Sequence, residues 1–441
     1  MRRNDTIVAI STPAGVGGIA VLRLSGPDAL AMACRHLSAS DLKPRHATYC
    51  RFDDLDDIVA TYFPQGYTGE ATVELSCHGS RYVQQTMLQV LVDSGARLAD
   101  PGEFTMRAFI GGRMNLSQAE AVADLIEAAT SAQHRLAVSQ LRGGYAHELE
   151  RLRQEMLDLA SLLELELDFS EEDLEFADRK KLNNAVEELS LKVRRLIDSF
   201  QNGNALKNGV PVAIVGRPNS GKSTLLNALL NDDRAMVSDM PGTTRDTIEE
   251  TMTVGGVTFR FIDTAGLRSS DDPLETMGIE RTYKAAKNAR IILFLHDVQR
   301  PASEAKKDLE ELGRQCDIST KTIIVIHTKC DLGEPDSSDG MMIAAKEGKG
   351  IDELKQMLAD TVRETMAADD DVMLTNARHY KELTDVQGAL EKVKLGLANQ
   401  TPADLMAVDL RDALYHLGAI TGEVTSNDLL TNIFSRFCVG K

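Results

Sequence analysis

The feature that most constrains this chain is the run Val212-Ala213-Ile214-Val215-Gly216-Arg217-Pro218-Asn219-Ser220-Gly221-Lys222-Ser223-Thr224. An apolar segment that reads as a buried strand ends in G-x-x-x-x-G-K-S, and Leu225-Leu226-Asn227-Ala228-Leu229 then opens a helix. Phosphates require close backbone approach, so the two glycines carry no Cβ and the loop N–H groups can turn toward an anion. Lys222 supplies a point charge for β- and γ-phosphates, Ser223 a hydroxyl for Mg2+, and the helix N-terminus a favourable dipole. Asn219, Ser220, Gly221 and Thr224 complete the cradle. A glycine-rich turn is the plain alternative, but strand, loop, Lys-Ser and helix stand in register. The spacing predicts a nucleotide-binding site in an α/β domain.

The residues that follow extend this reading. Ser238-Asp239-Met240-Pro241-Gly242-Thr243-Thr244-Arg245-Asp246 is polar and flexible, and a threonine there can reach Mg2+ and sense a γ-phosphate. Val257 to Ile262 predicts a strand ending in Asp263-Thr264-Ala265-Gly266, where the carboxylate can hold the Mg2+ hydration shell and Gly266 can donate its N–H to a γ-phosphate. Ile291 to Leu295 and Thr322 to His327 predict further buried strands, the second leading into Thr328-Lys329-Cys330-Asp331. Ionised Asp331 only accepts, so it suits guanine, which offers two N–H donors on one edge. Guanine loops of this kind usually open with Asn. Thr328 replaces part of that amide's bonding, which predicts weakened rather than lost affinity. Ala344-Ala345-Lys346 matches the place where a backbone N–H reads guanine O6. Small regulatory GTPases follow D-T-A-G with a water-orienting glutamine, whereas Leu267 stands here and can neither orient water nor accept a proton.

Length and charge bound the rest. At 441 residues the chain suggests about two to four domains. Its net charge of -18 gives no general attraction to nucleic acid, so any RNA contact must be local. Cys34, Cys50, Cys77, Cys316, Cys330 and Cys438 show no zinc spacing and read as reduced thiols of a cytoplasmic protein. No apolar stretch approaches the ~20 residues needed to cross a membrane. Met1 to Asp5 meets a strand-like pattern at once, which argues against a signal peptide.

Thr6 to Ile10, Ile19 to Leu24 and Ala71 to Leu75 predict strands, and Asp28 to His36 and Arg81 to Ser94 predict helices, giving a small α+β domain. Arg23, Glu74 and Arg113 read from their neighbours alone as solvated charges. Asn115 to Glu120 resembles a capping box with Ser117 as N-cap and Glu120 three residues on. Helical periodicity runs to Leu136, breaks at Gly143-Gly144 and resumes to Leu167. The acidic cluster Glu171 to Glu175 reads as a solvated loop. Lys180 to Phe200 predicts a helix, and residues 201–209 a linker. Asn376 to Leu397 and Ala403 to Thr421 return to helical periodicity and predict one bundle with residues 117–200. Cys438 stands fourth from the end, but Gly440-Lys441 does not fit a prenylation box, so the residues alone suggest a buried structural thiol.

Taken together these stretches closely resemble the MnmE/TrmE family of tRNA-modification GTPases that act at the wobble uridine. The resemblance spans nearly the whole chain through Asp5-Thr6-Ile7-Val8-Ala9, Pro101-Gly102-Glu103-Phe104, Gln118-Ala119-Glu120-Ala121, Gly216 to Ser223, Pro241 to Asp246, Asp263 to Arg268 and Phe437-Cys438-Val439-Gly440-Lys441. It implies a multidomain α+β and α/β protein. Residues 1–116 would form a folate-binding and dimerisation domain like that of aminomethyltransferases, 117–208 and 369–441 a helical domain, and 209–368 an inserted GTPase domain. It implies folate contacts at Arg23, Glu74, Arg113 (a position often held by Lys) and Lys441, with 5-formyltetrahydrofolate or a related one-carbon folate as ligand. It implies Mg2+ on Ser223 and Thr244, and K+ in the loop 238–243, at Ser238, Met240 and Thr243 with help from Asn219. Glu275 matches the family's water-orienting acid, and Cys438 its C-terminal cysteine, a catalytic candidate beside Lys222. The resemblance also implies a homodimer and an FAD-dependent partner, forming a heterotetramer that adds an aminomethyl-type group at C5 of the wobble uridine. An assembly switch that uses GTP only to time binding is the rival; a pterin pocket would have no place in it.

Overall fold

The computed structural model describes residues 4–170, 179–230, 250–262, 275–319, 321–334, 339–366, 373–435 and 437–440, with residues 164–170, 179, 275–281 and 364–366 described by backbone alone. In chain order the strands are β1 (Ile7–Ile10), β2 (Ile19–Ser25), β3 (Ala47–Phe52), β4 (Asp56–Phe63), β5 (Thr72–His78), β6 (Arg97–Leu98), β7 (Val210–Gly216), β8 (Glu250–Val254), β9 (Val257–Phe261), β10 (Ile291–Asp297), β11 (Thr322–Thr328) and β12 (Met341–Ile343). The helices are α1 (Ala29–Cys34), α2 (Arg81–Asp93), α3 (Glu103–Ile110), α4 (Leu116–Glu127), α5 (Ser131–Leu141), α6 (Gly144–Ser170), α7 (Arg179–Asn208), α8 (Lys222–Leu230), α9 (Glu275–Asn288), α10 (Ala302–Gln315), α11 (Ile351–Met366), α12 (Ala377–Ala398), α13 (Ala403–Thr421) and α14 (Asn427–Phe434). They divide into two compact units: residues 1–127, 138–190 and 385–441, and residues 128–137 and 191–384.

The first unit holds a six-stranded sheet in the order β3-β4-β5-β2-β1-β6, antiparallel except where β6 joins β1. Alternation in β2 and β5 buries Leu22, Leu24, Val73 and Leu75 completely, and Met87 and Leu91 of α2 close over them. Its helical part packs α13 along α6 and against α4. Gln387 of α12 donates to Ser190 of α7 at 2.7 Å. Helix α4 starts earlier than the spacing suggested. Asn115 Oδ1 accepts from Gln118 N at 2.9 Å while Gln118 Oε1 accepts from Asn115 N at 3.0 Å. The reciprocal cap is therefore Asn115/Gln118 and not Ser117/Glu120: Ser117 already lies inside the helix, and its hydroxyl donates to Asn115 Oδ1 at 2.8 Å.

The second unit is a doubly wound α/β domain with sheet order β12-β11-β10-β7-β9-β8, parallel except for β8 against β9. Strands β7, β10 and β11 read as continuous apolar runs because helices cover both faces. Their register sets Gly216 beside Leu295 and Asp297 beside Thr328, so the ends of three strands meet along one edge of the sheet. Residues 201–208, expected as a linker, continue α7, and Gly209 then ends it at φ 89°. Burial of Ala205 and Leu206 outweighs the poor helix propensity of the asparagines and glycine around them. The acidic cluster Glu171 to Glu175 lies outside the described residues.

Candidate functional site

The turn between β7 and α8 is shaped from within. A Cβ on Gly216 would lie 2.6 Å from Ser220 Oγ and 2.8 Å from the carbonyl oxygen of Leu295, so only glycine permits the strand to pass its neighbour here. Asn219 is exposed and left-handed at φ 62°, a conformation asparagine tolerates better than most residues. Its identity thus has a backbone reason apart from any cation. Lys222 curls back so that Nζ donates to the carbonyls of Gly216 and Arg217, both at 2.8 Å. Burial pushes its ammonium below the ordinary lysine range. Ser220 Oγ is buried with no hydrogen-bond partner among the described residues. A concave turn with a confined ammonium and an orphan hydroxyl fits a polyphosphate, which can satisfy both. Ser223 is exposed at the mouth of the turn and Thr224 is half-buried.

On the outer side of the turn, Arg217 grips α10. Its Nε and Nη2 meet the two carboxylate oxygens of Asp308 at 2.6 and 2.7 Å, and its Nη1 meets Glu304 at 2.7 Å.

In the loop expected to read the base, Thr328 is buried and Asp331 is exposed. The Thr328 hydroxyl donates to the carbonyl of Ser220 at 2.8 Å, and the carbonyl of His296 lies 3.2 Å away. Lys329, at φ 60°, reaches Asp297 at 2.6 Å. Burial alone would raise the Asp297 carboxyl, but the hydrogen bonds from Lys329 and the Gln299 N–H, with the charges of Lys329 and Arg300, together outweigh it and hold the group below the usual carboxylate range. Of the three residues expected to offer a backbone donor, Ala344 is engaged: its N–H donates to Lys349 O at 3.1 Å. That leaves Ala345 and Lys346. Asp297 escaped the sequence reading, although a carboxylate ending an apolar strand was the available signal.

Ser238, Met240, Thr243, Thr244, Asp263, Thr264, Ala265, Gly266, Leu267 and Lys441 lie outside the described residues. Glu275 is the first residue of α9, described by backbone alone.

In the first unit Arg23 and Glu74 sit directly opposite one another on β2 and β5. Arg23 Nε and Nη2 both meet Glu74 Oε1, at 2.9 and 2.8 Å, and the guanidinium lies over the rings of Tyr67 and Phe104. The pair is half-buried, not solvated as its neighbours in sequence suggested. Arg113 is exposed, and its stem lies against Gly69, two residues beyond Tyr67. One β4–β5 loop therefore touches both arginines.

The C-terminal tail docks on the same unit. Gly102 N donates to Cys438 O at 3.4 Å, and Ser11 Oγ to Gly440 O at 3.1 Å. Gly102 has φ 67°, and a Cβ there would meet the carbonyl oxygen of Phe434 at 2.6 Å. The Cys438 thiol is exposed, contrary to the buried structural thiol expected from the residues alone, because Phe434 and Phe437 take the apolar positions. A separate cleft of ≈ 770 Å³ lies between α3 and α14, lined by Glu70, Arg107, Ile110, Leu430 and Phe434 among others, but not by Arg23, Glu74 or Arg113.

No helix among the described residues is long and apolar enough to cross a membrane. Residues 6–113 match the family profile of the GTP-binding protein TrmE N-terminus, and residues 116–438 that of the MnmE helical domain. The chain is 44% identical to the tRNA modification GTPase MnmE of Christiangramia forsetii, with 100% of each chain covered. It is 46% identical to the protein of that name from Cytophaga hutchinsonii, over 99% of this chain and 98% of the relative. The Porphyromonas gingivalis protein of that name shows 46% identity with the same coverage. With a phosphate turn and a guanine-type loop on one sheet edge, and these matches along its whole length, the chain belongs to the MnmE family of tRNA modification GTPases, enzymes that hydrolyse GTP.

Proposed function

We propose that the chain is a potassium-activated GTPase that works with an FAD-dependent partner to install an aminomethyl-type group at C5 of the tRNA wobble uridine. The observation that carries the GTPase half is the register of β7, β10 and β11, which sets the Gly216–Lys222 turn beside the Thr328–Asp331 loop. Asp331 accepts from the two guanine N–H donors, and the N–H of Ala345 or Lys346 faces O6. Lys222 exchanges its two loop carbonyls for phosphate oxygens. Water then attacks the γ-phosphorus in line, the bond to the β–γ bridging oxygen breaks, and GDP and phosphate leave. Lys222 stabilises the developing charge, Glu275 positions the water, and Thr264, Ala265 and Gly266 frame the γ-phosphate. Mg2+ on Ser223 and Thr244 beside Asp263, and K+ on Asn219, Ser238, Met240 and Thr243, would supply the remaining positive charge.

In the same reading, residues 1–116 bind 5-formyltetrahydrofolate or a related one-carbon folate through Arg23, Glu74, Arg113 and Lys441, and dimerise. Cys438 lies at the same end of the chain as Lys441, on a tail seated against Gly102 and Ser11. Residues 117–208 and 369–441 form the helical domain that flanks the GTPase domain, 209–368. The dimer joins its FAD-dependent partner in a cytoplasmic heterotetramer that acts on tRNA. Two measurements test this. Hydrolysis should rise steeply when NaCl is exchanged for KCl at constant ionic strength, and Asn219→Ala should flatten the response. Cells lacking the protein should lose the modified wobble nucleoside, and an unchanged tRNA nucleoside profile overturns the modification reading.

A further inference from the structure

We infer that Thr328 is a specificity-determining residue that leaves the N7 edge of guanine unread, because its hydroxyl fastens the base-reading loop to the phosphate turn. The inference rests on the proposal that residues 328–331 receive guanine. A threonine hydroxyl has one proton and two lone pairs. Among the described residues, the two hydrogen-bond partners of Thr328 Oγ1 are carbonyl oxygens, Ser220 O at 2.8 Å and His296 O at 3.2 Å, and carbonyl oxygens only accept. The single proton is therefore engaged between two backbone carbonyls, and only lone pairs remain to face a base.

The N7 and O6 atoms on that edge of guanine are themselves acceptors. A lone pair turned toward them gains nothing. The side chain is also held in place: it is buried, its carbonyl accepts from Val298 N at 3.2 Å, and it packs beside Gly221 of the phosphate turn. Turning the hydroxyl to the base would strand the Ser220 carbonyl in a buried site, at a cost comparable to the bond gained. An asparagine here has two amide N–H donors and can hold one carbonyl while offering the second to N7. Threonine has kept the strut and given up the base contact. Discrimination then falls to Asp331 on the N–H edge and to the backbone N–H of Ala345 or Lys346 at O6.

The experiment compares GTP with 7-deaza-GTP, in which a C–H replaces N7, by equilibrium binding to the full-length protein. The parent is expected to bind the two within about twofold. Thr328→Asn should favour GTP by about five- to tenfold, the worth of one neutral hydrogen bond. Thr328→Val, nearly the same shape without the proton, should weaken both nucleotides together and keep their ratio near one. Thr328→Ser keeps the strut and should behave as the parent. A parent that favours GTP by about tenfold, with the preference abolished in Thr328→Val, overturns the inference. Asp331→Asn is the control for the underlying reading. If it fails to move preference from GTP toward xanthosine triphosphate, guanine recognition by this loop is wrong. If it succeeds while the parent rejects 7-deaza-GTP, only the role given to Thr328 is wrong.

Discussion

Arg217 and Asp308 form a two-point ion pair across the outer side of the phosphate turn, Nε to Oδ2 at 2.6 Å and Nη2 to Oδ1 at 2.7 Å. The same arginine presents its carbonyl oxygen to Lys222 Nζ. One residue thus ties the turn to α10 with its side chain and holds the Lys222 ammonium with its backbone. Both partners are partly exposed, so the pair itself adds only about 0–1 kcal/mol to stability. Arg217→Ala should therefore leave the urea midpoint nearly unchanged while GDP release quickens several-fold. Stopped-flow displacement of a fluorescent nucleotide checks this. A large fall in stability with unaltered release would make the clamp a structural contact only.

Asp331 should decide the base. Its carboxylate is exposed and accepts only, so Asp331→Asn sets an amide N–H donor against one of the two guanine donors, while the carbonyl that xanthine carries there can accept from it. Each hydrogen bond lost or left unpaired costs about 1–3 kcal/mol, so GTP affinity should fall at least about tenfold while xanthosine triphosphate gains. Competition binding with both nucleotides reads the switch, and equal GTP affinity in mutant and parent would remove Asp331 from base selection.

These sites differ in how much the chain disclosed of them. The phosphate turn was legible because Gly216, Gly221, Lys222 and Ser223 are local in sequence, and their chemistry depends on spacing alone. Thr328 was visible as a departure from asparagine, but its hydroxyl's destination was not, since Ser220 lies 108 residues away. Arg23 and Glu74 looked like separate surface charges until β2 paired with β5 and set them face to face. Ala344 was indistinguishable from Ala345 until a backbone bond to Lys349 removed its N–H from use. Composition at 201–209 favours a break, yet the segment to Asn208 is helical because Ala205 and Leu206 find buried positions. What sequence conceals here is partnership over long separations.

Lys222 carries a further pH signature. Burial lowers its pKa, so at pH values just below the ordinary lysine value of about 10.4 the unfolded chain holds the proton more tightly than the folded one. Stability without nucleotide should then rise with pH through that window, and Lys222→Met should be as stable as the parent at neutral pH, or more so. Its GTP affinity should fall at least about tenfold, since a hydrogen bond to a charged group is worth about 1.5–3 kcal/mol. Thermal melts at pH 8 and pH 10, with and without GTP, separate the two effects. A mutant that loses stability and keeps GTP would contradict both.

The first unit should be acid-sensitive through the network around Glu103. That side chain is 1% exposed and receives Arg97 Nη1 at 3.0 Å and Arg107 Nη2 at 2.9 Å. Arg107, itself 8% exposed, also meets Asp5 at 2.6 Å and Glu70 at 3.2 Å. Burial alone would raise the Glu103 carboxyl, but the hydrogen bonds from Arg97, Asp100 N and Arg107 outweigh it and hold the group below its ordinary value. Asp5 is lowered in the same way, with burial opposed by Arg97 and Arg107. A depressed carboxyl stabilises the fold above the unfolded pKa of about 4, and that stability is lost as pH falls through the folded value. Unfolding of this unit should therefore become easier below about pH 4. Glu103→Gln leaves Arg107 without its most buried anion and should cost about 3–5 kcal/mol at neutral pH, the usual range for breaking a buried pair. The mutant should also lose part of the acid dependence, since the titrating group has gone. Glu103 follows Gly102, whose N–H meets Cys438 O, so the C-terminal tail should loosen in the same mutant. Urea titrations at pH 7 and pH 4, with hydrogen exchange read at residues 437–440, measure both effects. Equal stability of mutant and parent at both pH values would mean that the network is held by Asp5 and Glu70 alone.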